Sequence, residues 1–289
     1  MRTALLATAL FAALAAPAVA QPAPGASPAP AATPKTLWRL PADGKWHVTV
    51  VPYLWAPNIN GSADFTVPSA RKSDKGRSVD VHVNIGPNNY LASLNFAAEV
   101  AGEVRHDDFS VYWDFINANA SSQAGTIANI SGPLGKVEVP VQVSIDTHLS
   151  TTIWQLAPSY TLAHGSDGTL DVLAGYRSAN ARPSADWSLA GPIDLIHPSG
   201  SVAASDTYGD FIAGVRGNVF LSDRWYVPYY GDAGWGNNNS TWQAYGGIGY
   251  AGRTTDVVLV YRNLQYNSTA GTLQILRLGG PALGVVFHW

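Results

Sequence analysis

The chain of 289 residues has no cysteine, a single methionine and little charge: Asp, Glu, Lys and Arg together make up 13%. That share is about half the usual one for a soluble globular protein. Without cysteine there is no disulfide framework, no thiolate metal site and no residue to carry a lipid anchor. Lys and Arg number 17 against 20 Asp and Glu, so there is no basic footprint for nucleic acid. After residue 20, no stretch reaches the roughly 18 apolar residues that a transmembrane helix needs. Mean hydropathy is +0.01, which argues against a polytopic helical membrane protein. No H-E-x-x-H, P-loop or dinucleotide fingerprint occurs, and no cofactor or metal is expected. What remains is 46% hydrophobic residues with 10 Trp, 13 Tyr and 28 Gly, too apolar for a disordered chain.

Residues 1–20 read as a secretory signal peptide. Arg2 supplies the positive start, Ala4 to Ala16 the apolar stretch, and Ala18-Val19-Ala20 the small-residue cleavage site. Residues 21–37, with Pro22, Pro24, Pro28, Pro30 and Pro34 among Ala, Gly and Ser, read as a linker. The organised domain is expected over 38–289.

Its signal is alternation with period two. Leu94, Phe96, Ala98, Val100, Gly102 and Val104 oppose Asn95, Ala97, Glu99, Ala101, Glu103 and Arg105. Phe109, Val111, Trp113 and Phe115 oppose Ser110, Tyr112 and Asp114. The pattern recurs over 152–162, 170–177, 210–219, 224–233, 242–250 and 256–262. It predicts about ten strands (eight to twelve allowed), the first near Trp46 to Ala56 and the last near Leu273 to Trp289. The segments 57–93, 121–149 and 189–205 read as longer loops, and Asn88 to Leu94 as a short helix or turn over a lumen mouth. Short turns at one end and longer loops at the other are the habit of outer-membrane barrels.

Strands of about ten residues tilted near 45° meet the bilayer requirement. Trp46, Trp113, Tyr160, Tyr176, Trp225, Trp235, Trp242, Tyr250 and Tyr261 fit two interfacial aromatic girdles. The fold class expected is all-β, a single antiparallel transmembrane barrel with short periplasmic turns. Leu283, Val285, Phe287 and Trp289 form an alternating apolar run with a terminal aromatic. This run resembles the signal by which the barrel-assembly machinery recognises outer-membrane proteins. The stretches Pro52 to Gly61, Asn89 to Phe96, Gly175-Tyr-Arg177, Val260-Tyr-Arg262 and Gly280 to Gly284 resemble a family of small proteobacterial outer-membrane β-barrel proteins of mostly unknown function. The resemblance implies fold and location, with outer-membrane lipid and the assembly machinery as partners. It implies no activity.

Charge placement follows from energetics. Asp171/Arg177, Asp210/Arg216 and Asp256/Arg262 share one spacing, an even one that keeps each pair on one strand face. An arginine on the lipid face at the midplane costs about 2–4 kcal/mol, so these residues are expected in the lumen. Glu99, Glu103, Arg105, Asp114, Arg224 and Asp232 follow the same parity. About eight strands leave an interior just filled by side chains, so ten imply a plugged lumen or a narrow conduit. Arg277 shares the parity of Phe287 and Trp289, and a bulge at Gly279-Gly280-Pro281 is expected to flip the register. The chain is read as no enzyme. The alternatives are a membrane-embedded lipid-modifying or proteolytic barrel, for which His164 with Ser166 and His148 with Asp146 are the only hints, and a secreted soluble binding barrel.

Overall fold

The computed structural model describes residues 43–67, 77–86, 98–131, 138–190, 199–270 and 273–289. The expected signal peptide (1–20), the expected linker (21–37) and the helix or turn expected over Asn88 to Leu94 lie outside them. Thirteen strands are described, and no helix. The first four are β1 (Trp46–Trp55), β2 (Asn58–Val67), β3 (Arg77–Ile85) and β4 (Ala98–His106). Three longer ones follow, β5 (Phe109–Ser131), β6 (Glu138–His164) and β7 (Gly168–Ala190), and then the short β8 (Ser199–Ala203). The chain continues with β9 (Asp206–Phe220), β10 (Trp225–Gly236), β11 (Asn239–Ala251), β12 (Thr255–Ser268) and β13 (Leu273–His288).

Ten of these strands close an antiparallel ring in the order β1-β4-β5-β6-β7-β9-β10-β11-β12-β13. The ring shuts where β13 pairs with β1, from Thr49↔His288 to Trp55↔Ala282. Val48 N donates to Trp289 O at 3.0 Å and Trp289 N to Val48 O at 2.9 Å. Closure leaves no unpaired edge through the ring.

One parity of the wall strands points out. Phe211 is 74% exposed and Trp235 63%, although both are large and apolar. Phe115, Trp154, Tyr176, Phe211, Trp235 and Trp242 run across adjacent strands as one aromatic row. Trp46, Phe109, Tyr160, Trp225, Tyr250 and Trp289 make a second row at the short-turn end. On β10, Trp225 and Trp235 mark the two edges of the belt. At about 3.3 Å per residue and a tilt of about 40°, the span between them stands about 25 Å tall, the height of the apolar band of an outer-membrane barrel. Between the rows lie Val172, Val215, Ile248, Val257, Leu259, Leu283 and Val285, with Phe287 at the lower edge.

Several expectations are corrected here. The loop expected over 57–93 contains β2 and β3, which pair with each other while β2 also pairs with β13. The one expected over 121–149 is instead the continuation of β5 and β6, paired from Phe109↔Tyr160 to Ser131↔Glu138. Within 189–205, β8 folds back on β7. The longer connections are thus largely strand among the described residues. No bulge occurs at Gly279-Gly280-Pro281, because β12 and β13 pair in one unbroken register from Thr255↔Phe287 to Asn267↔Ile275. Arg277 keeps its outward parity. It sits in the row of Gln265 and Trp242, at the upper edge of the belt, where its charge reaches water.

Turn chemistry fits the short ends. Asp107 (φ 50) and Asn238 (φ 65) occupy the left-handed region, which these two residue types tolerate best after glycine. In the wall, a Cβ on Gly102 would lie 2.3 Å from the Trp113 ring and 2.8 Å from Thr49 O. Gly102→Ala is therefore expected to cost about 1–3 kcal/mol. Urea titration of the refolded protein checks this, with Trp fluorescence as the signal.

Candidate functional site

The opposite parity lines the lumen, and there the few charges gather. A lower cluster forms near the short-turn end. Arg105 Nη2 donates to Asp171 Oδ2 at 2.5 Å, Arg105 Nη1 to Thr161 Oγ1 at 2.6 Å, and Thr161 Oγ1 to Asp171 Oδ1 at 2.7 Å. Glu103 accepts from both Arg105 and Arg216, and the Arg216 guanidinium lies 4.7 Å from the centroid of the Tyr112 ring.

At mid-height, Arg262 Nη2 donates to Asp114 Oδ2 at 2.5 Å and to Gln243 Oε1 at 2.8 Å. Tyr53 joins the same pair, donating to Asp114 Oδ1 at 2.7 Å and accepting from Arg262 Nη1 at 2.8 Å. Higher still, Arg177 forks onto Asp232 and reaches Gln155 Oε1 at 2.7 Å and Thr241 Oγ1 at 3.2 Å. Arg177 is 0% exposed. Tyr230 and Tyr245 stack at 5.1 Å beside these clusters. Above them the interior turns apolar, with Ile116, Ile153, Leu264, Leu276 and Leu278 packed together.

None of the three same-strand pairs bonds within its own strand. Six residues of strand separate their partners by about 20 Å, so the arginines take carboxylates of other strands, and Arg216 also lies 3.4 Å from Asp171, its register neighbour on β7. Asp171 takes Arg105, Arg177 takes Asp232, Arg216 takes Glu103 and Arg262 takes Asp114. Asp210 accepts from Asn239 Nδ2 at 2.9 Å, and Asp256 faces His288 Nε2 and the Tyr226 hydroxyl, each at 3.2 Å. Glu99 Oε2 accepts from the Trp55 backbone N–H at 2.5 Å. That N–H lies past the last β1–β4 rung, Pro52↔Val100. One expected lumen residue is not there: Arg224 is exposed in the turn before β10, and its Nη1 donates to Tyr250 Oη at 2.8 Å. That bond raises the arginine's pKa above its usual value.

The lumen tyrosines are the residues that sequence reasoning missed. Tyr53, Tyr112, Tyr226, Tyr230 and Tyr245 stand on the charged parity, and that parity is the signal that separates them from the girdle aromatics. The histidines scatter. His148 is exposed on the outer face of β6 opposite Ser121 and Ser184, and His164 is the exposed last residue of β6, with Ser166 in the exposed turn after it. His82 is on β3, and His197 lies outside the described residues. His47 Nε2 lies 3.0 Å from Asp43 Oδ1, and that contact holds the Asp43 carboxyl below its usual range. Among the described residues no group of three His, Cys, Asp or Glu side chains gathers as a metal site. The assembly-signal residues Leu283, Val285, Phe287 and Trp289 lie on the closing strand and just past it, on the outward parity.

No protein-family model matches the chain, and neither does any curated protein. Solved structures do match in fold. The outer membrane protease OmpT from Escherichia coli superposes with a TM-score of 0.52 at 10% identity, over 86% of this chain and 98% of that one. The translocator domain of autotransporter NalP from Neisseria meningitidis matches with a TM-score of 0.33 at 14% identity, over 86% and 90%. At such identities the likeness is one of architecture, and the architecture is that of an outer-membrane β-barrel.

Proposed function

We propose that this chain is an integral outer-membrane barrel, exported by its N-terminal signal and seated in lipid through the aromatic belt. In this reading its lumen is closed to all but the smallest solutes, and its role is structural or that of a narrow conduit rather than catalytic. The observation that carries the reading is the filled lumen. Three arginine-centred clusters occupy successive heights, and Arg105, Asp114, Asp171, Arg177, Asp232 and Arg262 are all buried. A closed polar network of this kind persists only when nearly every member is satisfied, and a general solute pore has no use for it. The belt supports the membrane assignment, since charges are rare on the outward face between its two rows.

Conductance of the purified protein in planar bilayers tests this. The expected result is a heat-modifiable, folded band on gels together with unit conductance far below that of an open porin. A wide, stably open channel would overturn the closed-lumen reading. Recovery in the soluble periplasmic fraction, with no mobility shift, would overturn the membrane assignment.

A further inference from the structure

The lumen clusters do not balance in charge. Glu103, Asp114, Asp171 and Asp232 engage the arginines Arg105, Arg177, Arg216 and Arg262. Glu99, Asp210 and Asp256 engage none among the described residues. Glu99 is held by a backbone N–H, Asp210 by an amide, and Asp256 by a phenol and an imidazole.

These three carboxylates are staggered along the axis. Asp256 stands next to the first residue of β12, Glu99 near mid-wall on β4, and Asp210 level with the upper aromatic row beside Phe211. The uppermost is the most exposed to want of a partner. Asp210 is 0% exposed, and its Oδ2 has no hydrogen-bond partner. Tyr266, buried on the lumen face of β12, also leaves its hydroxyl without one. The Tyr208 and Tyr266 rings meet 6.2 Å apart across the lumen. Tyr208 is the next inward residue to Asp210 on β9.

We propose that the solute class of this lumen is small cations, drawn in at Asp256, passed by Glu99 and met at the outer end by the free oxygen of Asp210, with anions excluded. The proposal rests on the narrow-conduit reading above. Its physical basis is that an excess of carboxylates over arginines between low-dielectric walls biases the field along the axis, and carboxylates lining a pore select cations over anions. The four arginines reach across the lumen and narrow it, which sets size. The acids without an arginine set sign. Monovalent ions suit the route better than divalent ones, since no three acidic or imidazole side chains converge among the described residues.

The test is the reversal potential of the wild-type protein in a planar bilayer under a potassium chloride gradient, alongside the variant combining Glu99→Gln, Asp210→Asn and Asp256→Asn. Heat-modifiable migration certifies both as folded. The expected result is a small conductance, several-fold selective for potassium over chloride in the wild type. In the variant that selectivity falls towards unity. A folded wild-type barrel that conducts without preference, or prefers chloride, overturns the cation assignment and leaves the conduit standing. A folded barrel with no conductance overturns both. Should the variant fail to fold, the wild-type reversal potential alone decides.

Discussion

Replacing Arg177 by alanine is expected to lower the unfolding free energy by about 3–5 kcal/mol, the cost of removing one partner of a buried ion pair. The size follows from what the substitution leaves behind. Asp232 loses both contacts of its fork, Gln155 loses two donors and Thr241 one. Asp210, the cross-strand neighbour of Arg177, loses the nearest positive charge. All four of these side chains are buried. Urea titration read by semi-native electrophoresis measures the loss. The paired variant Arg177→Met with Asp232→Leu distinguishes a stranded charge from lost packing. It removes both charges, and a buried pair replaced by apolar residues of similar volume is close to neutral. A single Arg177 variant as stable as the wild type would show that the fork contributes nothing.

Val215→Arg is expected to cost about 2–4 kcal/mol, the price of a guanidinium facing lipid near the midplane. Val215 points outward on β9, between Val172 of β7 and the open backbone of Gly231 on β10, about midway between the two aromatic rows. The control is Arg277, an outward charge that the protein already carries at the upper edge of the belt. Moving it to alanine should change stability by a few tenths of a kcal/mol, in the range of ordinary surface substitutions. Equal, small effects at both positions in lipid vesicles would refute the placement of the belt.

The ring of ten strands was legible because its signal is an asymmetry of burial. Trp154, Leu156 and Tyr160 against Gln155, Ser159 and Thr161 leave no doubt about which face is which. Where the sequence carries no such asymmetry, a strand is not recognisable from period. Residues 118–131 of β5 mix Ala, Ser, Asn and Gln on both parities, and so a continuing strand reads as a loop. The same reasoning explains Arg277. An outward charge contradicts alternation only inside the belt, and β13 passes out of the belt at that residue. Lumen membership was legible from parity for Glu99, Asp114, Asp171, Arg177, Asp210 and Arg262. Arg224 shows the limit, since parity has no meaning once the strand has become a turn. Partner choice was not legible at all. The spacing placed Asp171 and Arg177 on one face without naming their partners; the stagger of neighbouring strands hands each to a residue elsewhere in the chain, and one sequence does not reveal that stagger.

The joint between β1 and β13 carries a consequence for the order of assembly. Most wall strands find at least one neighbour nearby in the chain, through a turn of a few residues. This joint unites strands separated by nearly the whole domain, where the entropy lost on closing the loop is greatest and contact order slows folding most. The mid-height cluster draws Tyr53 from β1, Asp114 from β5 and Arg262 from β12. β1 is one side of the joint and β12 lies one strand beyond β13 on the other, so the cluster bridges the joint and is complete only when it closes. Closing the wall and enclosing the mid-height cluster are therefore expected to go together, at the joint with the largest loop-closure cost in the ring.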